Sequence, residues 1–271
     1  MKPTRENLEM RGLTPNKALG QNFLVDEDAI GRIAGSILEL ELPMLEIGPG
    51  LGAITAPLAE SGLPIYAVEL DKKLAGILND ELPENVHIVN EDFLKADISS
   101  IHSALGGGEI VVCGNLPYYI TSDIASKLLL SGLPIKRMVL MMQREAAQRF
   151  TSEPGKKNYG PLTVLTKLQY GVQKLFELSP ASYYPQPDVD STVLVFDRLN
   201  TELHEKLPRV LKCAFSARRK TLANNLTAFG IPKGETETML IALGLAPNVR
   251  AEAITPGEFA GISELLEERE I

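Results

Sequence analysis

The chain has 271 residues, 44% hydrophobic and 23% charged, with a formal net charge of −8 and two cysteines, Cys113 and Cys213. Such a composition suits a protein with a large core and room for a second, smaller domain, and excludes a disulfide-stapled miniprotein or a disordered chain. No apolar run approaches a membrane span, the first residues form no apolar signal segment, and the three histidines and two cysteines lack metal-ligand spacing, so a cytoplasmic chain with reduced thiols, no membrane and no metal is expected.

In chain order, Met44–Ile47, Ile65–Val68, Val86–Val89, Ile110–Val112 and Met138–Met141 read as five buried strands, most of them followed by turn chemistry and a helical pattern. That alternation predicts a mainly parallel, doubly wound α/β sheet. Val172–Leu178 and Thr192–Phe196, with a Pro-rich loop between them, predict an antiparallel pair at the sheet's end. Beyond about Thr201 the pattern is helical, with a Pro/Gly break near Gly230–Gly234. We therefore expect a domain over residues 1–200, with an N-terminal arm over 1–25, and a helical domain over 201–271.

Charge is segregated along the chain. Glu39–Asp97 holds twelve acidic and three basic residues, Lys136–Lys174 eight basic and two acidic, and Lys206–Lys220 six basic and none acidic. Solvated helix faces account for some of this, but such a pattern also suits one face that meets an anionic partner.

Three turns carry the chemistry. E-I-G-P-G-L-G-A-I-T (Glu46–Thr55) lies between the first strand and a helix, with glycines at 48, 50 and 52 for a tight turn and close backbone approach. Glu69 follows twenty-one positions after Gly48, where an acid accepts from two ribose hydroxyls. A nicotinamide dinucleotide and S-adenosylmethionine both fit this much. Three features favour S-adenosylmethionine: Glu46 suits a cationic amino-acid group rather than a pyrophosphate; Asp92, in N-E-D-F (Asn90–Phe93), suits an adenine amino group; and N-L-P-Y (Asn115–Tyr118) has no use in a dehydrogenase. An exocyclic base amine is a weak nucleophile because its lone pair is delocalised into the ring. If Asn115 and the carbonyl of Leu116 or Pro117 accept its two hydrogens, nitrogen can pyramidalise; Pro117 holds the backbone and Tyr118 stacks on the base. A strand-ending turn with buried tyrosines is the plainer alternative.

These stretches together resemble the ribosomal RNA small-subunit adenine dimethyltransferase family, and the likeness runs nearly end to end. It starts with A-L-G-Q-N-F-L (Ala18–Leu24), passes through E-I-G-P-G-L-G, V-E-L-D (Val68–Asp71), N-E-D-F and N-L-P-Y-Y-I-T, and continues in N-Y-G-P-L-T-V (Asn158–Val164), Y-Y-P-Q-P-D-V-D-S (Tyr183–Ser191) and F-S-A-R-R-K-T-L-A-N-N-L (Phe215–Leu226). The resemblance implies a Rossmann-like class I methyltransferase with cofactor contacts at Asn22, Leu24, Gly48, Glu69, Asp92 and Asn115. It also implies a target: two adjacent adenosines near the 3′ end of 16S rRNA in the small ribosomal subunit, each N6-dimethylated during ribosome assembly by a monomeric enzyme. Tyr183, usually phenylalanine in the family, is then the second aromatic expected to sandwich the base, and Asp188 stands where a basic or neutral residue is usual. Arg218, Arg219 and Lys220, extended by Arg144 and Arg149 and by Lys156 and Lys157, become the expected RNA contacts. Two rival readings share these motifs: a 23S rRNA adenine methyltransferase of the macrolide-resistance type, and a ribosome-assembly factor that binds RNA without turnover. R-R-K-T-L-A-N-N-L, and N-L-P-Y rather than N-I-P-Y, favour the small-subunit enzyme.

Overall fold

A computed structural model of the chain describes residues 13–16, 20–201 and 203–268. Ala18 and Leu19 of the A-L-G-Q-N-F-L stretch, most of the expected arm and the last three residues of the acidic tail lie outside them. The chain divides into two compact units, Met1–Ala147 with Gln173–Arg198, and Gln148–Val172 with Leu199–Ile271. The reading from sequence kept residues 148–172 in the first domain; in the structure this basic stretch is grouped with the C-terminal helices.

The first unit is built on strands β1 (Phe23–Leu24), β2 (Met44–Ile47), β3 (Ile65–Glu69), β4 (Val86–Asn90), β5 (Ile110–Asn115), β6 (Ile135–Gln143), β7 (Tyr170–Leu178), β8 (Tyr183–Tyr184) and β9 (Ser191–Arg198). Among the described residues seven of these form one sheet in the order β4-β3-β2-β5-β6-β9-β7, and β1 pairs with β8. β4, β3, β2, β5 and β6 run parallel, and β9 is antiparallel to β6. β2 and β5 are buried almost throughout, as strands covered on both faces must be, which explains their continuous apolar runs. β9 lies between β6 and β7, so the last two long strands enter the sheet out of chain order.

The strand order reverses between β2 and β5, where doubly wound sheets open a crevice at their carboxyl ends. The G-P-G-L-G turn leaves β2 there and N-L-P-Y leaves β5. Gly114 sets how closely the two strands approach: opposite Ile47, a Cβ on Gly114 would stand 2.5 Å from the Ile47 carbonyl oxygen. Any larger residue would push the two halves of the crevice apart.

Two of the helices around this sheet show the side-chain caps their sequences offer. Asp71 accepts from Lys73 N and Leu74 N to start Lys72–Glu81, and Asp26 accepts from Ala29 N to start Glu27–Leu38. No helix among the described residues is long and apolar enough to cross a membrane. The second unit is helical, with Pro161–Gln169, Leu207–Ala214, Leu222–Leu226, Lys233–Ala242 and Pro256–Glu268. Its core includes Phe215, whose ring lies 5.7 Å from Phe259 and 6.2 Å from Tyr159, and the Tyr159 hydroxyl donates to the Ile254 carbonyl.

Candidate active site

One cavity opens over the carboxyl ends of β2, β3, β4 and β5. Asn22, Leu24, Gly48, Glu69, Asp92 and Asn115 all line it, and so do Glu46, Phe93, Pro117 and Tyr118. Residues that the motifs did not single out complete the wall: Phe23, Leu51, Leu74 and Ile124 supply apolar surface, and Tyr119, 58% exposed, joins them.

The glycine turn is held in the form its sequence requires. Gly48, Gly50 and Gly52 have φ of 64°, 61° and 76°, the left-handed region where a side chain is strained. Gly48 N donates to Val68 O, and Gly50 N donates to Glu69 Oε2 at 3.0 Å. The other oxygen of Glu69 accepts from Asp71 N at 2.8 Å. Burial raises the Glu69 carboxyl above its ordinary range, and these N–H donors pull it back. Glu69 thus joins the turn after β2 to the turn after β3.

Glu46 is the anomaly of this wall. It sits in β2 between apolar neighbours, 2% exposed, and its Oε2 has no hydrogen-bond partner among the described residues. Burial, with Glu69 nearby, drives its carboxyl up to about 7, although the neighbouring Thr55 hydroxyl pulls the other way. An unpartnered buried acceptor is costly unless something donates to it, and an ammonium group is the donor that suits it best.

At the opposite wall the Asn115 side chain is already oriented. Its Nδ2 donates to the Asn22 carbonyl at 3.0 Å, so the amide oxygen remains as the free acceptor. Asn22 is anchored in turn, its Nδ2 donating to Gly20 O, while Gln21 donates to Asp71. Three motifs far apart in sequence, Q-N-F-L, V-E-L-D and N-L-P-Y, therefore brace one another around the cavity. Leu116 N donates to Met141 O. Pro117 O accepts from Ile120 N and from Thr121 Oγ1, which uses both of its lone pairs and leaves the Leu116 carbonyl as the available one of the two. Tyr118 presents its ring to the cavity while its hydroxyl is buried without a hydrogen-bond partner among the described residues.

Tyr183 stands elsewhere. It is 2% exposed, its hydroxyl donates to Met141 Sδ at 2.9 Å, and it packs in the main hydrophobic core rather than in the cavity wall. The polar partner its hydroxyl requires is this sulfur. Arg144 pairs with Asp190 at 3.4 Å. In the second unit Arg218 donates to the Lys157 carbonyl and lies 3.5 Å from Glu252, while Arg219 and Lys220 are exposed. Arg149 O accepts from Thr163 Oγ1. Among the described residues no group of His, Cys, Asp and Glu is placed to hold a metal ion.

A mainly parallel doubly wound sheet, with the glycine turn after β2 and N-L-P-Y after β5 opening on one cavity at its carboxyl ends, is the architecture of a class I S-adenosylmethionine-dependent methyltransferase. The chain belongs to the ribosomal RNA adenine dimethylase family, whose model matches residues 12–268. It is 41% identical over 260 residues to ribosomal RNA small subunit methyltransferase A of Desulfitobacterium hafniense, covering 93% of this chain and 92% of that one. The protein of the same name from Myxococcus xanthus is 36% identical over 275 residues, covering 98% and 96%. Among solved structures, the 23S rRNA methyltransferase ErmE superposes with a TM-score of 0.67 at 26% identity, covering 91% of this chain and 100% of that one. A dimethyladenosine transferase from Plasmodium falciparum shares the fold, with a TM-score of 0.73 at 22% identity over 92% of this chain and 98% of its own. The chain is an S-adenosylmethionine-dependent rRNA adenine dimethyltransferase.

Glu69→Ala is expected to weaken S-adenosylhomocysteine binding by about 1–3 kcal/mol, because it removes the acceptor for the two ribose hydroxyls and leaves those donors buried and unpaired. Calorimetric titration of the folded variant checks this; an unchanged affinity removes Glu69 from the site.

Proposed function

We propose that the substrate is 16S rRNA of the small ribosomal subunit, that two adjacent adenosines near its 3′ end are each dimethylated at N6 during subunit assembly, and that the enzyme works in the cytoplasm as a monomer. The single observation that carries the chemistry is the Asn115 amide, held by the Asn22 carbonyl so that an oxygen acceptor remains at the cavity. The small-subunit target rests on relatives 36–41% identical over nearly the whole chain, against 26% for the 23S enzyme.

The residues fit the cofactor. Glu46 would accept from its ammonium group, Glu69 from its ribose hydroxyls and Asp92 from its adenine amino group, with Asn22, Leu24 and Gly48 completing the binding wall. When bound, S-adenosylmethionine supplies an electrophilic methyl group. Asn115 Oδ1 and the Leu116 carbonyl accept the two hydrogens of the target amine, which frees the nitrogen lone pair from the ring. The pairing of Pro117 O with Ile120 and Thr121 keeps that carbonyl from drifting. Tyr118 stacks on the base and holds it in a near-attack pose. No side chain need remove a proton beforehand, because the amine proton becomes acidic once nitrogen has formed its new bond. The target must be unstacked to reach this depth. Tyr183, buried behind the wall, supports the site through Met141 and Leu24, its β1 partner, rather than by stacking on the base.

The test is methyl transfer to 30S particles lacking the modification, followed by nucleoside mass analysis. N6,N6-dimethyladenosine in 16S rRNA is the expected product; transfer to protein-free 23S rRNA offered in a parallel reaction, with none to the 30S particles, would reverse the choice of subunit, and binding without transfer would favour an assembly factor.

RNA would be held through phosphates by Arg218, Arg219 and Lys220, with Arg144 and Arg149 extending the contact. Each lost phosphate contact should lower the slope of log K against log salt by roughly one. Arg219→Ala, which removes an exposed guanidinium, is expected to flatten the slope by that amount. Arg218→Ala should do so less, because Arg218 is already engaged by Lys157 O and Glu252. Unchanged slopes in both variants and in the double variant would make these arginines structural.

A further inference from the structure

Lys127 lies on the helix Thr121–Leu129, six residues beyond the Pro117-bonded Thr121, and no motif reading assigns it a role. Its Nζ donates to three backbone carbonyls of one turn: Phe93 O at 2.8 Å, Leu94 O at 3.1 Å and Ala96 O at 2.6 Å. An ammonium has three N–H donors, and this turn uses all of them. The same nitrogen lies 5.4 Å from the centre of the Phe93 ring.

The turn it closes carries the adenine wall. Asp92 Oδ1 accepts from Leu94 N at 2.9 Å, and Asp92 O accepts from Lys95 N and Ala96 N, so its backbone is wound into a single tight coil. Lys127 gathers the Phe93 and Leu94 carbonyls of that coil together with Ala96 O, which also accepts from Ile98 N. Without it, three converging acceptors would repel one another or turn to water, and Asp92 and Phe93 would lose their fixed pose. The side chain is half-buried, which lowers its affinity for a proton, and Glu91, Asp92 and Asp97 offset this only in part.

We propose that Lys127 is a positioning residue that locks the Asp92–Ala96 turn in its adenine-binding form and ties that turn to the helix emerging from N-L-P-Y. Ile124, one turn earlier on the same helix, lines the cavity. One side chain thus sets the distance between the wall that reads the cofactor's adenine and the loop that holds the target amine. The proposal rests on the assignment of Asp92 to the adenine subsite.

A double-mutant cycle with Asp92→Ala tests it, with S-adenosylhomocysteine as the calorimetric probe. Lys127→Met, which keeps the stem and removes the donors, is expected to weaken binding by about tenfold, and by less than about twofold when Asp92 is already alanine, as coupled residues behave. 5′-Methylthioadenosine, which keeps the adenosine and lacks the amino acid, should lose the same factor. Wild-type affinity in Lys127→Met, or an equal loss in the Asp92→Ala background, overturns the proposal. If Asp92→Ala alone leaves affinity unchanged, it is the adenine assignment that fails. Should Lys127→Met not fold, Lys127→Arg enters the same cycle; a planar guanidinium cannot serve three converging carbonyls as an ammonium does, and a loss of about threefold that vanishes with Asp92→Ala is expected.

Discussion

In Asn115→Ala, single-turnover methyl transfer is expected to fall by about a hundredfold or more, the usual cost of removing one preorganised polar partner of a transition state. The base can still stack on Tyr118, because stacking needs only an aromatic face. RNA affinity should therefore stay within a few-fold of wild type, and the loss should appear in turnover rather than in substrate binding. The structure sharpens the expectation. Because Asn115 Nδ2 is committed to the Asn22 carbonyl, alanine removes both an acceptor for the amine and a brace between the Q-N-F-L turn and β5. Asn115→Asp keeps an acceptor of the same size but cannot donate to Asn22 O, so two oxygens would face each other across 3.0 Å. Partial activity, between wild type and alanine, is expected, with a further loss of thermal stability that alanine does not share. Wild-type transfer in the alanine variant would reduce N-L-P-Y to a turn that ends a strand.

The second large effect is a proton. Glu46 has its carboxyl raised from 4.5 to about 7 by burial, with Glu69 adding to the rise and the Thr55 hydroxyl opposing it. The Cys113 thiol, across from it on β5, is itself pushed up by burial and stays neutral. Between those two pH values the folded protein without ligand keeps a proton that the unfolded chain has released. Stability from this group is therefore full below about pH 4.5, declines as pH rises towards 7 and is level above it, a change of about 3 kcal/mol. Chemical denaturation at pH 5 and pH 8 should show that slope in wild type and lose it in Glu46→Gln. Ligand binding runs the opposite way. An ammonium group is accepted best by the carboxylate, so S-adenosylhomocysteine affinity should rise by up to about a hundredfold from pH 5 to pH 8, with proton release on binding below pH 7. Glu46→Gln should bind more weakly at pH 8 and show no such dependence. 5′-Methylthioadenosine, without the ammonium, should bind both proteins alike. Parallel pH profiles for wild type and Glu46→Gln would detach Glu46 from the amino-acid end of the site.

What was legible in the sequence was local. The five parallel strands announce themselves by their apolar runs, most fully β2 and β5, which are covered on both faces, and the turns after β2 and β5 show because left-handed glycines and a strand-ending proline leave few alternatives. Glu46 could be marked as an acid next to the glycine turn, and Asp92 as an acid at the end of β4, from position alone. The tertiary structure decided what each side chain does there. Asn115 presents an oxygen because its nitrogen donates a hydrogen bond to a carbonyl 93 residues away. Tyr183 lies in the core, not at the cavity, because pairing of β8 with β1 aims it towards Met141 and Leu24. β9 separates β6 from β7, and residues 148–172 join the C-terminal helices, although neither hydrophobic period nor charge distinguishes those arrangements from their alternatives. Lys127 and Gly114 carried no signal at all: a lysine on a helix and a glycine in a strand acquire meaning only from the three carbonyls and the one backbone oxygen that the fold brings against them. Periodicity and turn chemistry are properties of neighbours in the chain, whereas the destination of a polar group is set by register and packing between segments far apart in it.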